Sequence, residues 1–250
     1  MRITFRPMFW PTLWAVPLFL VLTGLGLWQI HRLHWKLALI AAMHANMAAP
    51  PMALDRALAL QPEQAQYHRV ELVGAFAHGK EAYAFATGDE GQPVYHVITP
   101  LMLANGKAML VDRGMVPPEL RDPARRARGQ IAGLHHIVGV WRVPDAPGLF
   151  TPAPDLKQRI WYARDVEGIA RADGVKLVAP VLVEADTTPN PGGWPKGGQT
   201  VVNLKNDHLQ YAVTWLALAE TLLIMYFVYH RAQGRFSVRW RGEKKSPPPS

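Results

Sequence analysis

The 250-residue chain contains no cysteine, which removes disulfides, thiolate metal sites and cysteine nucleophiles together while leaving the redox compartment open. Serine is nearly as scarce. Its three copies, Ser237, Ser246 and Ser250, fall near the C-terminus, so the long middle of the chain has no serine nucleophile. A paired-carboxylate or threonine mechanism survives this count, but no spacing recommends one. A phosphate-binding loop is missing too: GGWPKGG, residues 192–198, lacks both the Ser or Thr after its lysine and a strand-to-helix setting. No internal repeat is visible. Formal charge is absent from residues 9–30, and residues 209–229 carry only Glu220.

What is present explains those uncharged runs. Each reaches the roughly 20 apolar residues that a helix needs to cross a bilayer. The first is too long for a signal peptide and lacks a small-residue cleavage site. Both are expected to be membrane spans, at 9–30 and 209–229. The net charge of +8 raises the question of nucleic acid, and its location answers it. Residues 37–206 hold 17 Lys or Arg against 16 Asp or Glu, so the excess lies at the ends of the chain. Six cations follow the second run: Arg231, Arg235, Arg239, Arg241, Lys244 and Lys245. A nucleic-acid binder would carry its basic patch on the folded domain. The positive-inside rule instead puts a cytoplasmic N-terminus at 1–8, a cytoplasmic basic tail at 230–250 and a periplasmic domain at 31–208. Arg32 and Lys36 oppose this orientation weakly. The first run starts within ten residues of Met1, which leaves no room for a transit peptide and favours a bacterial inner membrane.

Helical character continues past the first run until Pro50-Pro51. The period then changes to two. YHRVELVGAF places Val70, Leu72, Gly74 and Phe76 on one strand face. VYHVITPLML and KAMLVDRGMV flank Asn105-Gly106, a strong hairpin signal. HHIVGVWRV and VKLVAPVLVEA are two further strands. RIWYARDVEGIARADG reads as a short strand followed by a helix, with Asp165 as N-cap and an end near Gly174. The expected fold is α+β: two transmembrane helices flanking a mostly antiparallel, β-rich extracytoplasmic domain. TTPNPGGWPKGGQT is expected to be a mobile loop, and the Pro-rich C-terminal end to be disordered.

Histidine supplies the remaining chemistry. His135 and His136 are strand neighbours that point to opposite faces and cannot easily chelate one ion. His31 and His34 share a helix face, where an interfacial position explains them. His208 stands at the mouth of the second run, and a neutral imidazole there is able to ligate haem iron. Tyr211, Ala212 and Trp215 follow on the same face: two rings for stacking, and a small residue leaving room for a flat one. On residues alone the competing reading is an interfacial histidine within an aromatic belt. Glu220 lies about 18 Å deeper and roughly 120° around the helix, too far to join that site. With no cation in the first run to pair with it, a protonated state or a polar group on a partner protein is expected.

GLGLWQIHRLHWK, YHRVELVGAF, HVITPL, LVDRGMVP, GVWR, IWYARD and above all NDHLQYAVTW occur in this order between two apolar runs. In that arrangement the chain resembles the Surfeit-locus family of cytochrome c oxidase assembly proteins, from about residue 5 to 230. Met115 departs from the aromatic usual in the family, and Asp207 from its second asparagine. The resemblance implies an assembly factor for the aa3-type oxidase, not an enzyme. It implies haem a as a reversibly bound cofactor with His208 as axial ligand. Its expected partners are the oxidase core subunit, the proteins of haem a synthesis and the lipid bilayer, and nucleic acid is not among them. A haem-free membrane scaffold for the nascent core subunit is the alternative. Gly74 is expected where strands approach closely, and Arg113-Gly114 at a strand end or turn.

Overall fold

The computed structural model describes residues 2–88, 90–144, 147–200, 204 and 206–239; Arg241, Lys244, Lys245 and the Pro-rich end lie outside the described residues. Along the chain run β1 (Arg2–Phe5), α1 (Phe9–Ala48), β2 (Met52–Ala53), α2 (Leu54–Leu58), α3 (Pro62–Ala65), β3 (Arg69–Phe76), β4 (Ala82–Thr87) and β5 (Pro93–Met102). They continue as β6 (Ala108–Val116), β7 (Leu134–Arg142), β8 (Ile160–Trp161), α4 (Val166–Asp173), β9 (Leu177–Ala185), α5 (His208–Ala232) and β10 (Phe236–Arg239). These elements form two compact units, Met1–Ile40 with Leu204–Ser250, and Ala41–Asn203.

In the first unit, α1 and α5 are long and apolar enough to cross a membrane. Leu- and Ala-rich sequence sustains both, and α1 stops at Ala48, just before Pro50-Pro51, as the sequence implies. The two helices run antiparallel. At one end Gly26 meets Leu216 and Ala212; at the other, Thr12 meets Tyr226. Beyond that second end the termini pair, an arrangement that the sequence did not suggest. β1 and β10 form a two-stranded antiparallel ribbon in which Phe5 stands opposite Phe236. The Phe5 ring also packs against Tyr226, Phe227 and His230.

The second unit is built on a sheet ordered β2-β3-β7-β9-β6-β5-β4-β8. It closes on itself, because β5 also pairs with β3 through Ala75↔Met102 and Phe76↔Leu101. β5 is long enough to serve two neighbours, with Pro93–Ile98 on β4 and its C-terminal end on β3. Alternation along five strands then fills a barrel interior: Val70, Leu72, Leu101, Met109, Val111, Trp141, Val181 and Val183 are all buried there. The expected antiparallel character holds for most pairings; β6 with β9, β2 with β3 and β4 with β8 are parallel. α4 covers the outer face of β4, β5, β6 and β9, over Ala82, Ile98, Leu110 and Leu182. Its boundaries are those the sequence marks: Asp165 accepts from the Gly168 N–H at 2.8 Å, and Gly174 follows in the left-handed region.

Glycine sets two of the close approaches. A Cβ on Gly74 would lie 2.6 Å from the Met102 carbonyl oxygen, so the β3–β5 closure needs glycine there, as expected. Gly114 differs from expectation. It lies inside β6 at φ +112°, in a bulge opposite His96 and Ile98, and the Lys196 carbonyl oxygen occupies the space of its absent Cβ.

The segment expected to be mobile is pinned at several points. Met115 pairs with Lys196, the Gly198 N–H donates to the Ala185 oxygen at 2.9 Å, and Arg113 donates to Asn190 Oδ1 at 3.1 Å. Pro and Gly shape this stretch so that its backbone docks on β6, a long-range effect that local composition does not report. β4 went unread in the sequence as well. AYAFAT has three alanines, weak strand formers, and these small side chains make room for α4 and Trp161.

Candidate functional site

His208 opens α5, one residue after the N-cap position held by Asp207. Its Nδ1 lies 2.7 Å from Gln29 Oε1 on α1. An amide oxygen only accepts, so Nδ1 carries the proton, and in the neutral ring Nε2 is the nitrogen with the lone pair. Gln29 is buried in an otherwise apolar stretch, where an unpaired amide is costly, and the imidazole satisfies it. The distance between the helices follows from small residues one turn away. A Cβ on Gly26 would stand 2.7 Å from the Leu216 side chain and 3.7 Å from the Ala212 carbonyl oxygen. Gly26 and Ala212 thus bring the backbones close enough for Gln29 to reach His208.

The four residues singled out in the sequence separate into two groups. His208 and Ala212 face α1, whereas Tyr211 is 53% exposed and Trp215 half-buried. The room beside Ala212 expected to admit a flat ring is filled by α1, because Ala212 is only 2% exposed. The surface open to a large planar ligand is therefore the Tyr211 side of the helix.

A second histidine on α5 shows what a purely structural imidazole looks like. His230 is fully buried; its Nε2 accepts the Met8 N–H at 3.1 Å and its Nδ1 donates to the Tyr226 carbonyl at 2.8 Å. Both nitrogens are used, which leaves no lone pair for a metal. Beside it, Thr12 donates to the Met8 oxygen at 2.7 Å and so receives the Tyr226 hydroxyl at 2.6 Å. Glu220 is exposed on α5 and makes no ion pair among the described residues. His31 and His34 are exposed on α1. His135 and His136 stand on β7 with separate partners, the Ala132 carbonyl and Glu71.

Sequence reasoning missed Gln29, Gly26 and His230. The legible signal was position: Gln29 is polar at the end of one apolar run and His208 at the start of the next, so an antiparallel pair brings them level.

In the β unit the buried charges gather around Glu81. Arg126 grips its carboxylate with both terminal nitrogens, Gln130 donates at 2.9 Å, and His78 and Arg113 each lie 3.5 Å away. Burial alone pushes this carboxyl up, but the His78 and Arg126 hydrogen bonds and the Arg126 charge outweigh it and bring it down to about 2. Arg113 in turn donates to the Gly129 carbonyl at 2.6 Å and lies over the Phe76 ring. The cluster ties β4 and β6 to the segment 118–130. Apart from Arg113 Nε, which is buried without a hydrogen-bond partner among the described residues, its polar atoms serve one another and nearby backbone, so its role is structural.

The comparisons agree on one relationship. The model of the SURF1 family matches residues 16–220. Surfeit locus protein 1 of Takifugu rubripes is 34% identical over 223 residues, covering 82% of this chain and 90% of that protein. The Homo sapiens protein of the same name is 34% identical over 220 residues, covering 82% and 72%. A SURF1-like protein of Monosiga brevicollis is 34% identical over 255 residues, covering 97% and 93%.

Proposed function

The chain belongs to the SURF1 family, and on that premise we propose that it is an assembly factor for an aa3-type cytochrome c oxidase which binds haem a through His208. The observation that carries this reading is the bond from His208 Nδ1 to Gln29 Oε1. In the neutral ring it assigns the lone pair to Nε2, the nitrogen that would ligate a metal, and a hydrogen-bonded far nitrogen is the usual support for such a ligand. A bound haem would supply an iron centre able to accept the His208 Nε2 lone pair. Gln29 holds the ring in one tautomer and one orientation. Tyr211 and Trp215 offer aromatic surface beside it, and Ala212 keeps α1 within reach.

In this reading α1 and α5 are membrane spans. The proposed setting is a bacterial inner membrane, with both termini cytoplasmic and residues 31–208 periplasmic. The cations following α5 support that orientation. The protein acts by reversible ligation and protein contact rather than turnover, on the oxidase core subunit and alongside haem a synthesis. Exposed Glu220 suits a polar contact with such a membrane partner.

The test is haem extraction from purified wild type and His208→Ala at equal protein, both from cells that make haem a. The variant should lose most of its pigment while staying folded and inserted, since the change lies at a helix start and removes little packing. Equal haem a in the two would overturn the assignment and leave the haem-free scaffold.

A further inference from the structure

One face of the β unit sets charged side chains beside an apolar cluster. On β4, β5, β6 and β9, Ala82, Ala84, Ile98, Leu110 and Leu182 form an apolar cluster under α4. The same face carries His96 opposite Ala84, and Asp112 between Ile98 and Glu184. A cavity of about 280 Å³ stands there, with His96, Arg142, Arg164 and Glu184 contributing polar groups, and Phe85, Val143 and Tyr162 contributing apolar walls.

Buried charges are retained at a cost unless something uses them. Here the pairing among these charges is incomplete. Arg164 reaches Asp112 at 3.5 Å and Glu184 at 3.6 Å, and Arg142 Nε reaches Glu184 at 3.6 Å. All three exceed the ~2.7–2.9 Å of a close charge-assisted bond. Arg142 Nη1 is buried and has no hydrogen-bond partner among the described residues. His96 is tightly held, its Nδ1–H donating to Asp112 at 2.8 Å, and Glu184 accepts the Thr200 hydroxyl at 2.6 Å, which leaves the two guanidiniums as the loosely held groups. Burial would raise the Asp112 carboxyl, yet the His96 ring, the Arg164 charge and the Gly114 N–H hold it below the ordinary carboxylate range. An ionised Asp112 accepts only, so His96 Nε2 is the ring nitrogen left for a ligand.

We propose that this cavity binds a small organic monocarboxylate with an aromatic or apolar body. The carboxylate is taken by the Arg142 and Arg164 guanidiniums, and the body lies between Phe85, Tyr162 and Val143. The charge count selects one negative charge. Among the lining residues two guanidiniums face one carboxylate, Glu184, so a single negative charge balances the site and a dianion would overshoot it. The volume suits a single-ring acid and falls short of a tetrapyrrole, so this site is separate from the haem reading at His208.

The probe is 4-fluorobenzoate, with its fluorine NMR line recorded against the full-length protein in detergent. Wild type should broaden the line. Excess benzoate should restore it, while benzamide, of the same shape but uncharged, and inorganic phosphate should not. Arg142→Gln should weaken binding about tenfold or more, the loss expected for one charge-assisted hydrogen bond. Should that variant fail to fold, Arg164→Gln, at a more exposed position, carries the same expectation. No broadening by wild type, broadening that survives in both variants, or equal competition by benzamide would overturn the proposal.

Discussion

At the scale of single residues, the chemistry turns on which atoms of a polar side chain are already engaged. His208 and His230 sit at opposite ends of one helix, and only His208 has a ring nitrogen in excess of its protein partners. Gln29 is therefore as testable as the histidine. Gln29→Leu removes the acceptor while keeping an apolar side chain of similar length, so the ring loses its fixed tautomer. Haem a affinity should fall by about 10- to 100-fold, the range for losing such an outer partner. The measurement is a titration of purified apoprotein followed at the Soret band, and unchanged affinity would separate Gln29 from the site. The Glu81 cluster makes a different residue-scale prediction. Its folded-state value of about 2 lies below the ordinary 4.5. A depressed carboxyl contributes stability that is fully present above the unfolded value and is lost as pH falls through the folded one. Unfolding midpoints should therefore drop between pH 4.5 and about 2, by up to ~3 kcal/mol. In Glu81→Gln that acid-sensitive component should vanish, and the protein should be weaker at neutral pH, because two guanidiniums remain buried without their anion. An unchanged pH profile in Glu81→Gln would show that other carboxylates dominate.

Between elements, the α1–α5 seam depends on a residue with no side chain. Gly26 has no room even for a Cβ, whereas the apolar faces around it tolerate large side chains because they are exposed. Gly26→Leu should push the helices apart at a cost of ~1–3 kcal/mol of over-packing and break the His208–Gln29 contact one turn away. The absence of native cysteine makes this measurable. Gln29→Cys with His208→Cys creates the only thiol pair in the molecule, and its oxidation to a disulfide reports the distance between the helices. Cross-linking should be fast in that background and markedly slower once Gly26→Leu is added. Equal rates would mean that Gly26 does not set the spacing.

For the whole molecule the decisive property is orientation, which follows from charge placement rather than from packing. The cations after α5 should hold the C-terminus in the cytoplasm, and an even number of spans brings the N-terminus to the same side. Alkaline phosphatase fused after Gly91, in the turn before β5, should be active, and the same reporter after Gly242 inactive. The reverse pattern would invert the proposed arrangement. The terminal ribbon of β1 and β10 agrees with the even count, since it requires both chain ends at one end of the helix pair.

Much of this fold is legible in the sequence because it rests on short-range physics. Helix length, the stop at Pro50-Pro51, the Asp165 cap, the Asn105-Gly106 hairpin and the alternation in β3 each depend on neighbours within one turn or one pleat. The α+β class follows from the same local patterns. What tertiary structure decided are the pairings between residues far apart in sequence. These are the closure of β5 onto β3, the docking of 187–200 on β6, the ribbon between the two chain ends, and the bond from Gln29 to His208 across 179 positions. A pattern read along the chain shows that Gln29 is polar and out of place. Only folding shows that it is satisfied, and by which atom, because a hydrogen bond is settled by distance in space and not by spacing in sequence.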